Sequence, residues 1–229
     1  MNIRTLEKPL GITIGNLEIF EQAFTHRSYL NESKTKKNSN ERLEFLGDAI
    51  LSYVVSNYLF EHFTKLPEGE LTNLRSAIVR THTLADVAKT LKLGDFLLLS
   101  KGEEDSGGRN NPSLLADCFE AVVGALFISE GIIPTQKFVE RHLLALVPDI
   151  LERRTYLDYK SQFQEKVQEK MRMSPNYKVV KEIGPDHLKT FFIGAYVEKS
   201  LWGEGEGKNK QEAEQQAAKS ALEKWAETE

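Results

Sequence analysis

Two short stretches carry acids at spacings that could do chemistry. In "NERLEFLGDAIL", residues 40–51, Glu41, Glu44 and Asp48 stand three and four residues apart. A helix turning about 100° per residue gathers them within roughly 60° of one another. Leu43, Leu46, Ile50, Tyr53 and Val54 then fall on the far side. Like charges so placed repel, so the stripe is either a solvated helix face or a set of ligands for a cation. "SLLADCFEAVVGALFI", residues 113–128, favours ligands. Asp117 and Glu120 are its only charges, on a segment apolar nearly all round and without a lysine or arginine. Such a helix is expected to be buried, and acids are almost never buried unpaired. Ala121 and Gly124 lie beside the two acids, a small-residue face that another helix can approach closely. Bringing the two acidic helices together clusters Glu44, Asp48, Asp117 and Glu120. Such a set of hard oxygen donors suits Mg²⁺, with Mn²⁺ as a substitute.

A second group lies near the C-terminus. In "GKNK", Gly207 is expected to open a helix whose first turn carries Lys208 and Lys210. Free backbone N–H groups beside two cations form a phosphate-binding arrangement, with a plain glycine-started helix as the alternative. In "SQFQEKVQ", Ser161, Gln164, Glu165 and Gln168 line one helix face with uncharged or acidic hydrogen-bonding groups. These suit ribose 2′-hydroxyls in an RNA minor groove better than phosphates. Other candidates fail. The five histidines are scattered without a metal-site spacing, and no Ser/His/Asp arrangement has a local context. "WGEGEGK" departs from a phosphate loop, with Trp202 where glycine is needed and Asn209 where Ser or Thr is needed. Cys118 reads as a small core residue.

These residues need elements to hold them. From Leu6 to about Arg154, apolar residues recur at three- and four-residue spacing, broken at "LPEGE", "GEEDSGGRNNP" and "EGIIP". That predicts an all-helical domain over residues 1–154. Residues 155–229 change texture: a helix, then the strand-like runs "NYKVVKEI", "TFFIGAYVE" and "SLWGEGEG", then a final helix with a face of Ala213, Ala217, Ala221, Leu222 and Trp225. The order predicts a small α+β module, α-β-β-β-α, with both helices on one sheet face. "RRTYLDY" is the expected joint.

Composition sets the bounds. The 229 residues carry a net charge of −4, so any nucleic-acid binding must come from placed residues rather than bulk charge. One cysteine rules out an internal disulfide framework and points to a reducing cytoplasm. No apolar run is expected to reach the roughly 18–20 residues of a membrane span. The N-terminus lacks the apolar core of a signal peptide.

Together the motifs resemble the ribonuclease III family. "NERLEFLGDAIL" looks like its signature motif, and "AFTHRSYLNE", "PEGELTNLRSAIVR" and "SGGRNNPSLLADCFEAVVGALFISEG" resemble its other blocks in order. From Tyr156 on, "DYKSQFQEKVQ", "PNYKV", "GPDH" and "GEGEGKNKQEAEQQAA" resemble a double-stranded-RNA-binding domain. The resemblance implies metal-ligand roles for Glu44, Asp48, Asp117 and Glu120, with Glu41 and Glu68 assisting the catalytic site through water or from one layer further out. It implies RNA contacts by Ser161, Gln164, Glu165, Gln168, His187, Lys208 and Lys210. It also implies a homodimer in which Phe45 inserts into the partner. Phe45 lies beside the acidic stripe and away from the Leu43/Ile50 face, where an apolar side chain needs a partner.

The expected activity is metal-dependent hydrolysis of double-stranded RNA to 5′-phosphate and 3′-hydroxyl ends, in rRNA and mRNA precursor processing. No small-molecule cofactor is expected. The residues are compatible with one or two ions per strand, and a two-metal clamp at about 3.5–4 Å is the mechanistic expectation. The alternative is a non-catalytic dsRNA-binding or ribosome-associated protein that keeps the fold as a scaffold. Such a protein is expected to have lost metal acids, and none is missing here. One departure stands out: Gln211 replaces the second of two adjacent basic residues, which predicts one phosphate contact fewer and a shallower salt dependence.

Overall fold

The computed structural model describes residues 2–33, 37–153, 156–185 and 188–226. The chain divides into two compact units, Met1–Tyr156 and Leu157–Glu229. The joint expected between 154 and 155 falls on residues outside those described.

The first unit carries helices α1 (Glu7–Leu10), α2 (Leu17–Ala23), α3 (Arg27–Leu30), α4 (Glu41–His62), α5 (Glu68–Val79), α6 (Thr81–Thr90), α7 (Lys101–Asp105), α8 (Pro112–Glu130), α9 (Ile132–His142) and α10 (Val147–Arg153). Helix α8 is the axis of the core. It starts on Asn111, whose side-chain oxygen accepts the Ser113 N–H at 2.9 Å, with Pro112 in the first turn. It ends at Gly131, whose φ of +83° suits glycine. By length and mean hydropathy α8 passes for a membrane span, contrary to the sequence expectation. Its residues from Leu115 to Leu126 are instead buried on nearly every side, apart from the half-buried Asp117 and Glu120. The run is long and apolar because α2, α4, α6 and α9 all pack around it.

Helices α4 and α8 cross backbone to backbone. A Cβ on Gly47 would overlap the Glu120 carbonyl oxygen, and one on Gly124 would overlap that of Leu43. The small face expected on α8 thus meets a glycine of α4 that sequence reading did not single out. Gly47→Ala should cost about 3 kcal/mol through overpacking. That lowers the melting temperature by roughly 6–12 °C in a unit of this size. Thermal denaturation checks it, and an unchanged midpoint would contradict the close crossing. Tyr53, expected on the core side of α4, is 56% exposed, because it stands on the side of the helix away from the buried Leu51, Val55 and Leu59.

The second unit has the expected order: α11 (Tyr159–Met171), β1 (Asn176–Ile183), β2 (Thr190–Val197), β3 (Ser200–Gly207) and α12 (Lys210–Ala226). The sheet is antiparallel in the order β1-β2-β3. Phe163 and Val167 of α11 and the alanines of α12 share one apolar cluster with Ile193, Ala195 and Val197. In "SLWGEGEG" the alternating glycines point at α12. A Cβ on Gly203, Gly205 or Gly207 would overlap backbone at Ala221, Ala217 or Ala213 respectively. The glycines therefore serve strand–helix packing, and Gly207 closes β3 instead of opening a helix.

Candidate metal centre and RNA-binding face

The acids meet at the α4/α8 crossing. Glu44 stands in the first turn of α4, and Asp117 and Glu120 lie one turn apart on α8. All three are half-buried, and each offers a carboxylate oxygen within 4.8 Å of the others. The start of α4 is fixed by Asn40, a buried residue whose N–H donates to the Thr25 carbonyl at 2.8 Å. Its own carbonyl accepts the Leu43 and Glu44 N–H groups at 2.8 and 2.9 Å.

The electrostatics oppose full ionisation of the three acids. Burial pushes the Glu120 carboxyl up to about 8, helped by the charges of Asp48, Asp117 and Glu44. Glu44 is raised by burial and by Asp117, Glu41 and Asp48, with Arg27 pulling the other way. Asp117 is raised by burial and partly relieved by His26. Three hard oxygen donors that resist ionising together, half shielded from water, fit a divalent cation.

A pH dependence follows. A carboxyl raised above its ordinary value binds more protons folded than unfolded, so its stabilising effect is present below the ordinary pKa near 4.5 and is lost as pH climbs toward about 8. The metal-free protein should therefore lose thermal stability over that window, and added Mg²⁺ or Mn²⁺ should restore more of it the higher the pH. His142, lowered mainly by burial, acts in the opposite sense. Its effect cancels when the wild type is compared with Glu120→Gln, whose slope should be flatter. Equal slopes in scanning calorimetry would contradict this.

Asp48 lies at the edge of this trio. It is exposed, one turn beyond Glu44, close enough that its charge acts on both Glu44 and Glu120. Glu41 is engaged elsewhere: it accepts the Ser39 hydroxyl at 2.7 Å and lies 3.7 Å from Arg27. Glu68 is not brought to the cluster within the chain. It accepts the Thr72 hydroxyl at 2.8 Å and lines a cleft of about 480 Å³ with Tyr53, Phe60, Leu71 and Arg75. Cys118 is fully buried, and burial pushes its thiol further from the reactive thiolate.

Phe45 is 81% exposed, and Tyr53 and Phe60 extend the same side of α4 at 56% and 73%. Sequence reading found the first of these and missed the others. The signal was available, since positions 45, 53 and 60 fall within about 80° on a helix.

In the second unit, Ser161, Gln164, Glu165 and Gln168 line a recess of about 520 Å³ on α11. The Ser161 hydroxyl also donates to Asp158 at 2.7 Å, which caps that helix. His187 lies outside the described residues. The start of α12 corrects the sequence expectation. The helix begins at Lys210, where Asn209 accepts the Glu212 N–H and Glu212 accepts the Lys208 N–H, both at 2.9 Å. This capping arrangement occupies two of the backbone donors at the helix start, those of Lys208 and Glu212. The Asn209–Glu212 spacing could have revealed it. The Lys210 ammonium lies 4.0 Å from Glu182.

Comparison with known proteins agrees with both units. A family model described as Ribonuclease-III-like matches residues 16–147, and one described as double-stranded RNA binding motif matches 159–225. Ribonuclease 3 of Enterococcus faecalis is 46% identical over 95% of this chain and 94% of its own length. Ribonuclease 3 of Oceanobacillus iheyensis is 44% identical over 97% of each. The nuclease domain of ribonuclease III from Campylobacter jejuni, described with a flexible region involved in dimer formation, superposes with a TM-score of 0.60. It is 40% identical and covers 64% of this chain and 99% of that domain. With both domains matched in order over nearly its whole length, the chain belongs to the ribonuclease III family.

Proposed function

We propose that this chain is a Mg²⁺-dependent endoribonuclease that cuts both strands of double-stranded RNA, leaving 5′-phosphate and 3′-hydroxyl ends, and that it processes rRNA and mRNA precursors in the cytoplasm. The observation that carries the reading is the convergence of Glu44, Asp117 and Glu120 on one point of the α4/α8 crossing, with ionisation opposed by burial and by one another. Asp48 completes the donor set from the rim. These acids would hold a divalent cation, which would supply a water nucleophile of lowered pKa and charge stabilisation for the leaving oxygen.

The side chains have separate tasks. Glu44 and Asp48 hold the site from α4, while Asp117 and Glu120 hold it from α8, so the Gly47–Gly124 contact sets the distance between the two halves. The acids would otherwise repel an RNA phosphate, which makes charge neutralisation a condition of substrate approach. On the second unit, the α11 recess offers hydroxyl and amide groups to 2′-hydroxyls, and Lys208 and Lys210 offer charge to phosphates.

A homodimer follows from α4. The exposed Phe45 would fit the apolar cleft lined by Tyr53, Phe60 and Leu71 on a second copy, which supports the homodimer. A Phe45 ring seated there would bring Glu68 of one copy beside the acid cluster of the other, where it could assist. The test is cleavage of a long RNA duplex with Mg²⁺ or Mn²⁺, with and without chelator. Metal-dependent cutting supports the reading. Tight duplex binding with no cutting by either metal would favour the scaffold alternative.

A further inference from the structure

The start of α3 brings a cation to the rim of the acid cluster. Thr25 is fully buried, its hydroxyl donates to the Glu21 carbonyl at 2.7 Å, and it forms a parallel bridge with Leu98. The His26 N–H donates to the Leu98 carbonyl at 3.1 Å, and the Ser28 hydroxyl accepts the Ser100 N–H at 3.0 Å. With Thr25 also holding Asn40, the "THRS" turn is tied to the start of α4 on one side and to residues 98–100 on the other.

Arg27 projects from this fixed turn. Its guanidinium lies 3.7 Å from Glu41 and is 73% exposed. At that distance and exposure the pair adds little to stability, so charge balance explains Arg27 poorly. Most of its five N–H donors remain available, and a planar fork of donors matches the non-bridging oxygens of a phosphate. The charge of Arg27 also acts on Glu44, which places it beside the cluster and not merely near Glu41.

We infer that Arg27 is a substrate-contacting residue that grips the RNA phosphate at or next to the scissile bond. The inference rests on the nuclease reading above. It differs from the metal-ligand assignments in that the group is a cation and acts on RNA directly. The rigid turn limits the cost of ordering the side chain when RNA arrives.

The experiment compares single-turnover cleavage of a long RNA duplex at saturating protein, with Mg²⁺, by wild type, Arg27→Lys, Arg27→Gln, Arg27→Ala and Glu120→Gln, alongside their melting temperatures. Arg27→Ala and Arg27→Gln should cut about 10–100-fold more slowly, the size of a lost charge-assisted contact. Arg27→Lys should recover only part of the rate, since it restores charge without the fork. Melting temperatures should stay within about 2 °C of wild type, as expected for a surface position. Wild-type rates in Arg27→Ala, beside an inactive Glu120→Gln, would overturn this inference alone. Slow cutting that tracks a lowered melting temperature, and is fully restored by lysine, would make Arg27 structural and overturn it as well. An inactive wild type with both Mg²⁺ and Mn²⁺ would overturn the nuclease reading and this inference with it.

Discussion

Replacing Glu120 by glutamine is expected to reduce cleavage of double-stranded RNA by about 10³-fold or more while leaving duplex binding unchanged. Metal-assisted stabilisation is worth several kcal/mol, and each 1.36 kcal/mol is tenfold in rate. Glutamine keeps the shape of Glu120 but removes the negative charge on which the cation depends. Binding should survive because the residues proposed to bind the duplex outside the cleavage site, on α11 and at the start of α12, belong to the other compact unit. Asp48→Ala should lose cleavage in the same way, although Asp48 lies outside the tight trio. The Glu120 variant carries a second, opposite expectation. It relieves the repulsion that drives the carboxyl up to about 8, so the metal-free variant should melt higher than wild type at pH 8. Lost activity together with gained stability would identify a functional charge cluster. Equal cleavage by wild type and both variants would sink the acid assignment.

Phe45→Glu should shift the protein from dimer to monomer. Phe45 is 81% exposed in the single chain, so the change leaves the core untouched and the fold should melt normally. What it removes is an aromatic anchor, and anchors of this kind cost about 2 kcal/mol or more when lost. That is a rise of roughly 30-fold or more in the dimer dissociation constant. A carboxylate next to the apolar cleft adds a desolvation penalty. Sedimentation velocity at micromolar protein reads the outcome, and a dimer boundary persisting at wild-type concentrations would refute the role of Phe45. Cleavage should fall with dimerisation if Glu68 works from the opposite subunit.

Much of this protein was legible in its residues. The helical period of the first unit, the strand order of the second, and the isolation of Asp117 and Glu120 in an apolar helix are local properties. Local pattern determines secondary structure and marks charges that burial cannot tolerate unpaired. The long motifs also carried the family. The helix start near Lys208 was misread because a glycine followed by lysines suits both a strand end and a helix opening. The three glycines of β3 are explained only by the backbone of α12 lying against them.

Tertiary structure alone decided the rest. Which acids converge depends on the Gly47–Gly124 contact, a distance between segments more than seventy residues apart that no spacing rule contains. It drew Glu44, Asp117 and Glu120 into a trio, left Asp48 at the edge, and set Glu68 in a cleft away from them. It also placed Arg27 beside Glu41 by anchoring the preceding residues to Leu98 and Asn40. The sequence by itself determined that carboxylates would stand on a helix apolar nearly all round, where burial opposes their charge. Only the packing of α4 on α8 decided which carboxylates share one point in space, because close approach is fixed by the two backbones together and not by either helix alone.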